Sequence, residues 1–243
     1  MVLIKYLIFL ILWVSSLGSL SAQYDTKGLD LDGDLSAWYD EAVGYKNVPI
    51  LEGSYYPLDY LALKKGPYFI SSKWQQGHLK YSGETYDSVY LLYHVHKDVL
   101  IIRNIALQNV SIEPTLLNLD KVEAFTIQEH QFVHLKDSVL PSHGSGFYEL
   151  YYDGQTINFY IKRVKNEYVR GEGIEFLNED LYFLYDGEEY IRFKGVKSVY
   201  KRFPNIKSKL KAYKKPHFAN FKRGEDSGMR KWLSYGDHLL TEK

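Results

Sequence analysis

Apolar and polar positions alternate with a period of two through the middle of this chain. From Tyr86 to Val95, the residues Val89, Leu91, Tyr93 and Val95 share one face, and Tyr90, Leu92 and His94 share the other. Alternation carried by β-branched and aromatic residues predicts a strand of an antiparallel sheet. Ile157, Phe159 and Ile161 alternate with Asn158, Tyr160 and Lys162 in the same way, and Phe147–Tyr152 reads as another strand. Leu181–Tyr185 and Tyr190–Phe193 flank a polar turn, while Val122–Leu135 reads as a strand pair or one long strand with a weak middle. Pro114 and Pro141 are excluded from central strands, because proline cannot donate to a ladder.

Three near-copies of one hexapeptide punctuate these strands: Tyr81-Ser82-Gly83-Glu84-Thr85-Tyr86, Tyr152-Asp153-Gly154-Gln155-Thr156-Ile157 and Tyr185-Asp186-Gly187-Glu188-Glu189-Tyr190. Asp-Gly or Ser-Gly between two β-type runs predicts a type I′ hairpin, whose central residues both need φ > 0. His143-Gly144-Ser145-Gly146 reads as a flexible loop.

Beyond Gly195 the period becomes helical. A short helix is predicted over Val196–Phe203. Ile206, Leu210 and Tyr213 then form the apolar stripe of a basic helix, with Pro204 in its first turn and Pro216 as its stop. Met229, Trp232, Leu233, Gly236 and Leu240 mark a last helix, with Asp226 or Ser227 as its cap. Helices this short must pack on one another or on the sheet. The expected fold is mainly β, of the α+β kind: an antiparallel curved meander or open barrel with a small C-terminal helical module.

The expected division is a signal peptide over 1–22, an N-terminal segment over 23–66, an antiparallel β domain over 67–194 and a basic helical module over 195–243. Trp38, Tyr39, Tyr55 and Tyr56 are expected to pin the N-terminal segment onto the β domain. The signal peptide rests on Lys5, an apolar run from Tyr6 to Val14 and a small-residue stretch ending at Ala22, although Leu20 departs from the preferred pattern. The run is shorter than the about 20 residues of a transmembrane helix. No second apolar span follows, so the mature chain is expected to lack a transmembrane segment and to be exported, to the periplasm or outside the cell.

Cysteine is absent from the sequence, which removes disulfides, thiol nucleophiles and thiolate metal sites. Thirty Lys and Arg balance thirty Asp and Glu, but twelve of the basic residues fall between Arg192 and Arg223, where there is no acidic residue. Such a stretch reads as a solvated helix face complementing the acidic β region. A nucleic-acid partner is disfavoured by export and by the lack of an aromatic-plus-basic recognition motif.

Tests for chemistry are mostly negative. Ser145, with glycines on both sides and His143 nearby, does not form a nucleophile elbow. There is no H-E-x-x-H, P-loop or dinucleotide fingerprint. Asp30-Leu31-Asp32-Gly33-Asp34 resembles a calcium loop only superficially, since the first ligand position would be Gly28. His94 and His96 would project from the same face of a strand and could share a metal ion with His78, His130 or His134. Nothing in the sequence makes these imidazoles converge, so surface histidines are the favoured reading. Glu188-Glu189 and Glu179-Asp180 read as turn solvation, and the tyrosines as half-buried strand residues rather than a sugar platform. No catalytic, cofactor-binding or metal residue is assigned, and no cofactor.

The run Gly66-Pro67-Tyr68-Phe69, followed by Trp74, Gly77, Tyr86, Val89, Leu91, Tyr93, Val95 and Asp98, resembles a group of uncharacterised secreted proteins of Bacteroidota-like bacteria. There, a G-S-P-Y-L-like segment precedes a hairpin and a V-x-L-x-Y-x-x-Y-x-D-like strand. Here Ser is missing after Gly66, and His96 replaces the second aromatic. Gly146-Phe147-Tyr148-Glu149-Leu150-Tyr151-Tyr152-Asp153-Gly154 is similar to that group's G-F-[FY]-E-x-L-Y-D-G-like strand, and Phe203-Pro204 with its lysine-rich helix matches its ending. The similarity runs over residues 66 to 240 and implies an exported envelope protein without transferring any residue role. The expected function is therefore non-enzymatic: binding of a protein or envelope component in the periplasm or at the cell surface. A carrier of an apolar ligand in the concave sheet is the alternative, and a hydrolase with a non-local site is a weaker one. The oligomeric state is not encoded legibly.

Overall fold

Strand-forming patterns occupy the described chain up to Arg192, and helical patterns run from Val196 onward. The computed structural model describes residues 50, 53–59, 61, 63–103, 114–136, 144–171, 173–217 and 226–242, all within the compact unit Asn47–Lys243. The signal peptide, the Asp30–Asp34 stretch, Trp38, Tyr39, Pro141, His143 and the side chains of Asp226 and Ser227 lie outside the described residues.

Eleven strands form one antiparallel sheet. In chain order they are β1 (Ser54–Tyr55), β2 (Gln75–Tyr81), β3 (Glu84–His94), β4 (Val99–Arg103), β5 (Thr115–Leu116), β6 (Val122–Ile127), β7 (His130–Leu135), β8 (Gly146–Asp153) and β9 (Asn158–Lys162). After the separate hairpin β10 (Lys165–Arg170) and β11 (Gly173–Asn178), the sheet resumes with β12 (Leu181–Tyr185) and β13 (Tyr190–Arg192). The spatial order is β1-β5-β4-β3-β2-β6-β7-β8-β9-β12-β13, so the sheet is an open meander. Val122–Leu135 is the strand pair, with Gln128 at φ 55° in its turn.

The meander is strongly curved. β3 and β8 are four strands apart, about 19 Å on a flat sheet. Nevertheless, the rings of Tyr93 on β3 and Phe147 on β8 are 5.7 Å apart, both pack with Phe125, and Tyr93 also meets Phe132. The ends of the curl are tied by Asp98, which accepts from Tyr93 Oη at 2.6 Å, Phe147 N at 3.3 Å and Lys162 Nζ at 2.5 Å. The inner face is filled by the chain's own fully buried aromatic and aliphatic side chains.

The second half of the sheet packs on the helices α1 (Val196–Arg202), α2 (Lys207–His217) and α3 (Asp226–Thr241). Phe159, Ile161 and Leu184 from the strands meet Leu210, Trp232 and Leu233 from the helices in one core. Pro204 lies just before α2 rather than in its first helical turn, and α2 continues one residue past Pro216. Tyr56 is buried against Tyr68, Leu92 and Ile101, whereas Tyr55 is 61% exposed, so only the first of these two tyrosines pins the N-terminal segment. Arg202 of α1 pairs with Asp186, Glu188 and Glu189 of the β12–β13 turn, which ties part of the basic stretch to acidic β residues.

Candidate functional site

An 820 Å³ groove lies between β8 and helices α2 and α3. Leu150–Asp153 form its floor, and Glu129 and Gln131 extend it onto β7 and the preceding turn. Helix α3 supplies the wall because its two faces differ: Trp232, Leu233, Gly236 and Leu239 are buried, and Arg230, Ser234 and His238, spaced four apart, line the groove.

Tyrosines dominate this groove. Tyr213 of α2 and Tyr235 of α3 stack with ring centroids 4.2 Å apart at 13°. The Arg230 guanidinium lies 4.9 Å from the ring centre of Tyr151, a cation–π arrangement. The Tyr152 hydroxyl donates to Asp237 at 3.3 Å; burial, then the nearby Asp237 charge, push this phenol above its usual range. Aromatic faces, two cations and the carboxylates of Glu129 and Asp153 therefore share one open trough. Such a set can pack against the C–H faces of a sugar while bonding its hydroxyl groups.

A second, smaller cavity of 290 Å³ lies beside Phe69. Period-two alternation on β8 puts Phe147, Glu149 and Tyr151 on the core-facing side, so a carboxylate sits between the two cores with 2% exposure. Glu149 is satisfied by His130 Nδ1 at 2.8 Å and Arg163 Nε at 2.5 Å, and Arg163 also bonds Asp180 at 2.7 Å. Burial pushes the Glu149 carboxyl up, but the His130 and Arg163 hydrogen bonds and the guanidinium charge outweigh it and hold the group below its usual range. Burial also depresses Arg163, but its two carboxylate partners more than reverse that, raising it further above its already high range.

The histidines considered from sequence do not converge. Strand β3 ends at His94, and a turn over Val95–Asp98 carries His96 away from strand geometry. His94 is buried among Tyr56 and Tyr68, accepts Lys97 N–H at Nδ1, and leaves Nε2 without a partner among the described residues. His96 Nδ1 instead meets the Lys165 carbonyl at 2.8 Å. His78 pairs with Asp87 and His130 with Glu149. Among the described residues, no three metal-ligating side chains come together.

Ser145 Oγ meets His134 Nε2 at 3.0 Å, while His143 lies outside the described residues. No carboxylate orients His134 among the described residues, so the pair lacks the third member of a triad. The Glu149–His130–Arg163–Asp180 network was not assembled from sequence. Its one legible signal is a Glu in a core-facing position of an otherwise aromatic strand.

No model of a known family, no curated protein and no solved structure matches this chain.

Proposed function

We propose that this is an exported, non-enzymatic binding protein whose tyrosine-lined groove takes a glycan chain of the cell envelope. The observation that carries this reading is the convergence of Tyr151, Tyr152, Tyr213 and Tyr235 with Arg230 and Lys231 in one 820 Å³ trough. The half-buried rings of Tyr152, Tyr213 and Tyr235 beside charges of both signs suit a ligand with both apolar faces and many hydroxyl groups. The apolar run Tyr6–Val14, followed by small residues, supports export. Among the described residues, no helix is long and apolar enough to cross a membrane. The apolar-carrier alternative receives less support, because the inner face of the curl is filled by Tyr93, Phe125, Phe132 and Phe147.

The test is isothermal titration of the mature chain with soluble peptidoglycan and surface-polysaccharide fragments, for wild type and for Tyr213→Ala and Tyr235→Ala. Saturable binding is expected, with each truncation weakening it about tenfold or more. Absence of saturable binding, or binding indifferent to both truncations, would sink the reading. Cell fractionation with the mass of the recovered chain tests export: an intact amino terminus in the cytoplasm would exclude it.

A further inference from the structure

Lys165 is a half-buried ammonium without a carboxylate in ion-pairing range among the described residues. Its Nζ donates to the carbonyl oxygens of Gly66, at 2.9 Å, and Tyr68, at 2.5 Å. A charge withdrawn from water is ordinarily paired, as Arg163 is by Glu149 and Asp180. Burial accordingly holds the Lys165 ammonium below the usual lysine range, with the more distant Asp180 pulling the other way.

Lys165 lines the 290 Å³ cavity together with Arg163, His130, Asn178 and Asp180, and the remaining wall is Phe69, Ile70 and Val95. Phe69 meets the His130 ring edge-on at 5.0 Å. Because Glu149 holds His130 at Nδ1, Nε2 is left available, and the Asn178 side-chain amide also has no partner among the described residues. The lip is strained. Ile70 sits at φ 55° and is 49% exposed, and Ser71 N bonds back to Phe69 O at 2.5 Å. Together these define a γ-turn of the rarer positive-φ kind, which a β-branched residue disfavours. Strain of this sort is retained where the surroundings enforce it, and it clusters at ligand sites.

We propose that this cavity binds a small organic carboxylate, its anionic end beside Lys165 and its hydrocarbon part against Phe69, Ile70 and Val95. The two ends of the cavity dictate the class. Arg163 is already matched by Glu149 and Asp180, which leaves Lys165 as the lining cation without a carboxylate partner among the described residues. That suits a singly charged carboxylate better than a doubly charged phosphate. The three apolar side chains require a body for the anion to carry. A metal cation is disfavoured by the adjacent ammonium and guanidinium. The site is separate from the tyrosine groove, so the two proposals stand or fall independently.

The experiment titrates the mature chain with phenylacetate, isovalerate, 2-phenylethanol and inorganic phosphate by calorimetry. Saturable binding of the two carboxylates is expected, with the neutral alcohol and phosphate each about tenfold weaker or more. Lys165→Gln should weaken phenylacetate at least tenfold. Since that lysine also braces residues 66–68, a pair of variants at the exposed lip gives a second reading: Ile70→Asn and Ile70→Asp both accept positive φ, but only the Asp adds negative charge at the mouth. Phenylacetate should bind Ile70→Asp about tenfold more weakly than Ile70→Asn. No saturable carboxylate binding, equal affinity for the alcohol or phosphate, or equal affinity of the two Ile70 variants would overturn the proposal.

Discussion

The carboxylate of Asp237 on α3 accepts the backbone amide of Ile157 at 2.9 Å, joining the last helix to the β8–β9 turn across 80 residues of chain. The same side chain takes Thr156 N at 2.8 Å and Gln155 N at 2.9 Å, so three successive amides point into one anion. Hydrogen bonds to a charged group contribute about 1.5–3 kcal/mol each, and an amide at this position would turn a donor toward donors. Asp237→Asn should therefore cost about 2–3 kcal/mol in urea unfolding. It should also loosen α3 from the sheet, read as faster hydrogen exchange at Gln155–Ile157. A loss below about 0.5 kcal/mol would show that the turn holds itself.

Glu149 and Arg163 form the buried joint between the two cores, and each is expensive to strand. Glu149→Leu should destabilise by about 3–5 kcal/mol, because Arg163 keeps Asp180 but loses its buried partner. Arg163→Met strands Glu149 in the same way. The double variant should cost about 1–2 kcal/mol less than the sum of the two single losses, since neither charge is then left alone. Additive losses in equilibrium unfolding would mean that the two side chains act separately.

Some of this architecture was legible from local pattern and some was not, for identifiable reasons. The alternation through Tyr86–Val95 and Ile157–Ile161 specified strands and faces correctly, because period two is a local property. Of the three repeated hexapeptides, only Ser82-Gly83 is the two-residue turn with both φ values positive, at 53° and 86°. Asp153-Gly154 opens a four-residue loop in which no residue has positive φ, because Asp237 supplies acceptors from far along the chain. Asp186-Gly187 opens another four-residue loop, in which Asp186 accepts from Glu188 N and Glu189 N. The turns at Asp98 and Gln128 adopt positive φ without glycine and carry no comparable signal. The groove was illegible because it requires α3 to meet β8, a relation that no local period encodes. Glu149 was the missed opportunity: its place between Phe147 and Tyr151 already set a carboxylate on a core face.

His94 should make the fold acid-sensitive. Burial lowers its pKa from 6.5 to about 4, with the Lys97 charge adding to the effect. Its Nδ1 accepts Lys97 N–H, so the folded state holds the neutral ring, with the proton on Nε2 beside Tyr56 and Tyr68. The unfolded chain binds a proton more readily, so this contribution is complete above pH 6.5 and is lost as pH falls through about 4. After allowance for partial solvation, the loss is about 2 kcal/mol. His94→Leu should flatten the stability profile across that window while lowering stability at neutral pH, where Lys97 N–H loses its acceptor. An unchanged slope between pH 6.5 and 4 in the variant would assign the acid limb to other groups.

Ile70 offers a gain rather than a loss. A β-branched residue at φ 55° stores strain on the order of 1–3 kcal/mol, and asparagine tolerates the left-handed region better than isoleucine. With the residue 49% exposed, little apolar burial is given up on replacement. Ile70→Asn should therefore raise stability by about 1 kcal/mol, visible as a shifted urea midpoint at unchanged slope. The gain follows from the γ-turn that Ser71 N closes on Phe69 O, so it should disappear when the residue introduced is β-branched, as in Ile70→Val. If asparagine and valine behave alike, the turn is not strained, and the lip of the cavity is simply an exposed loop.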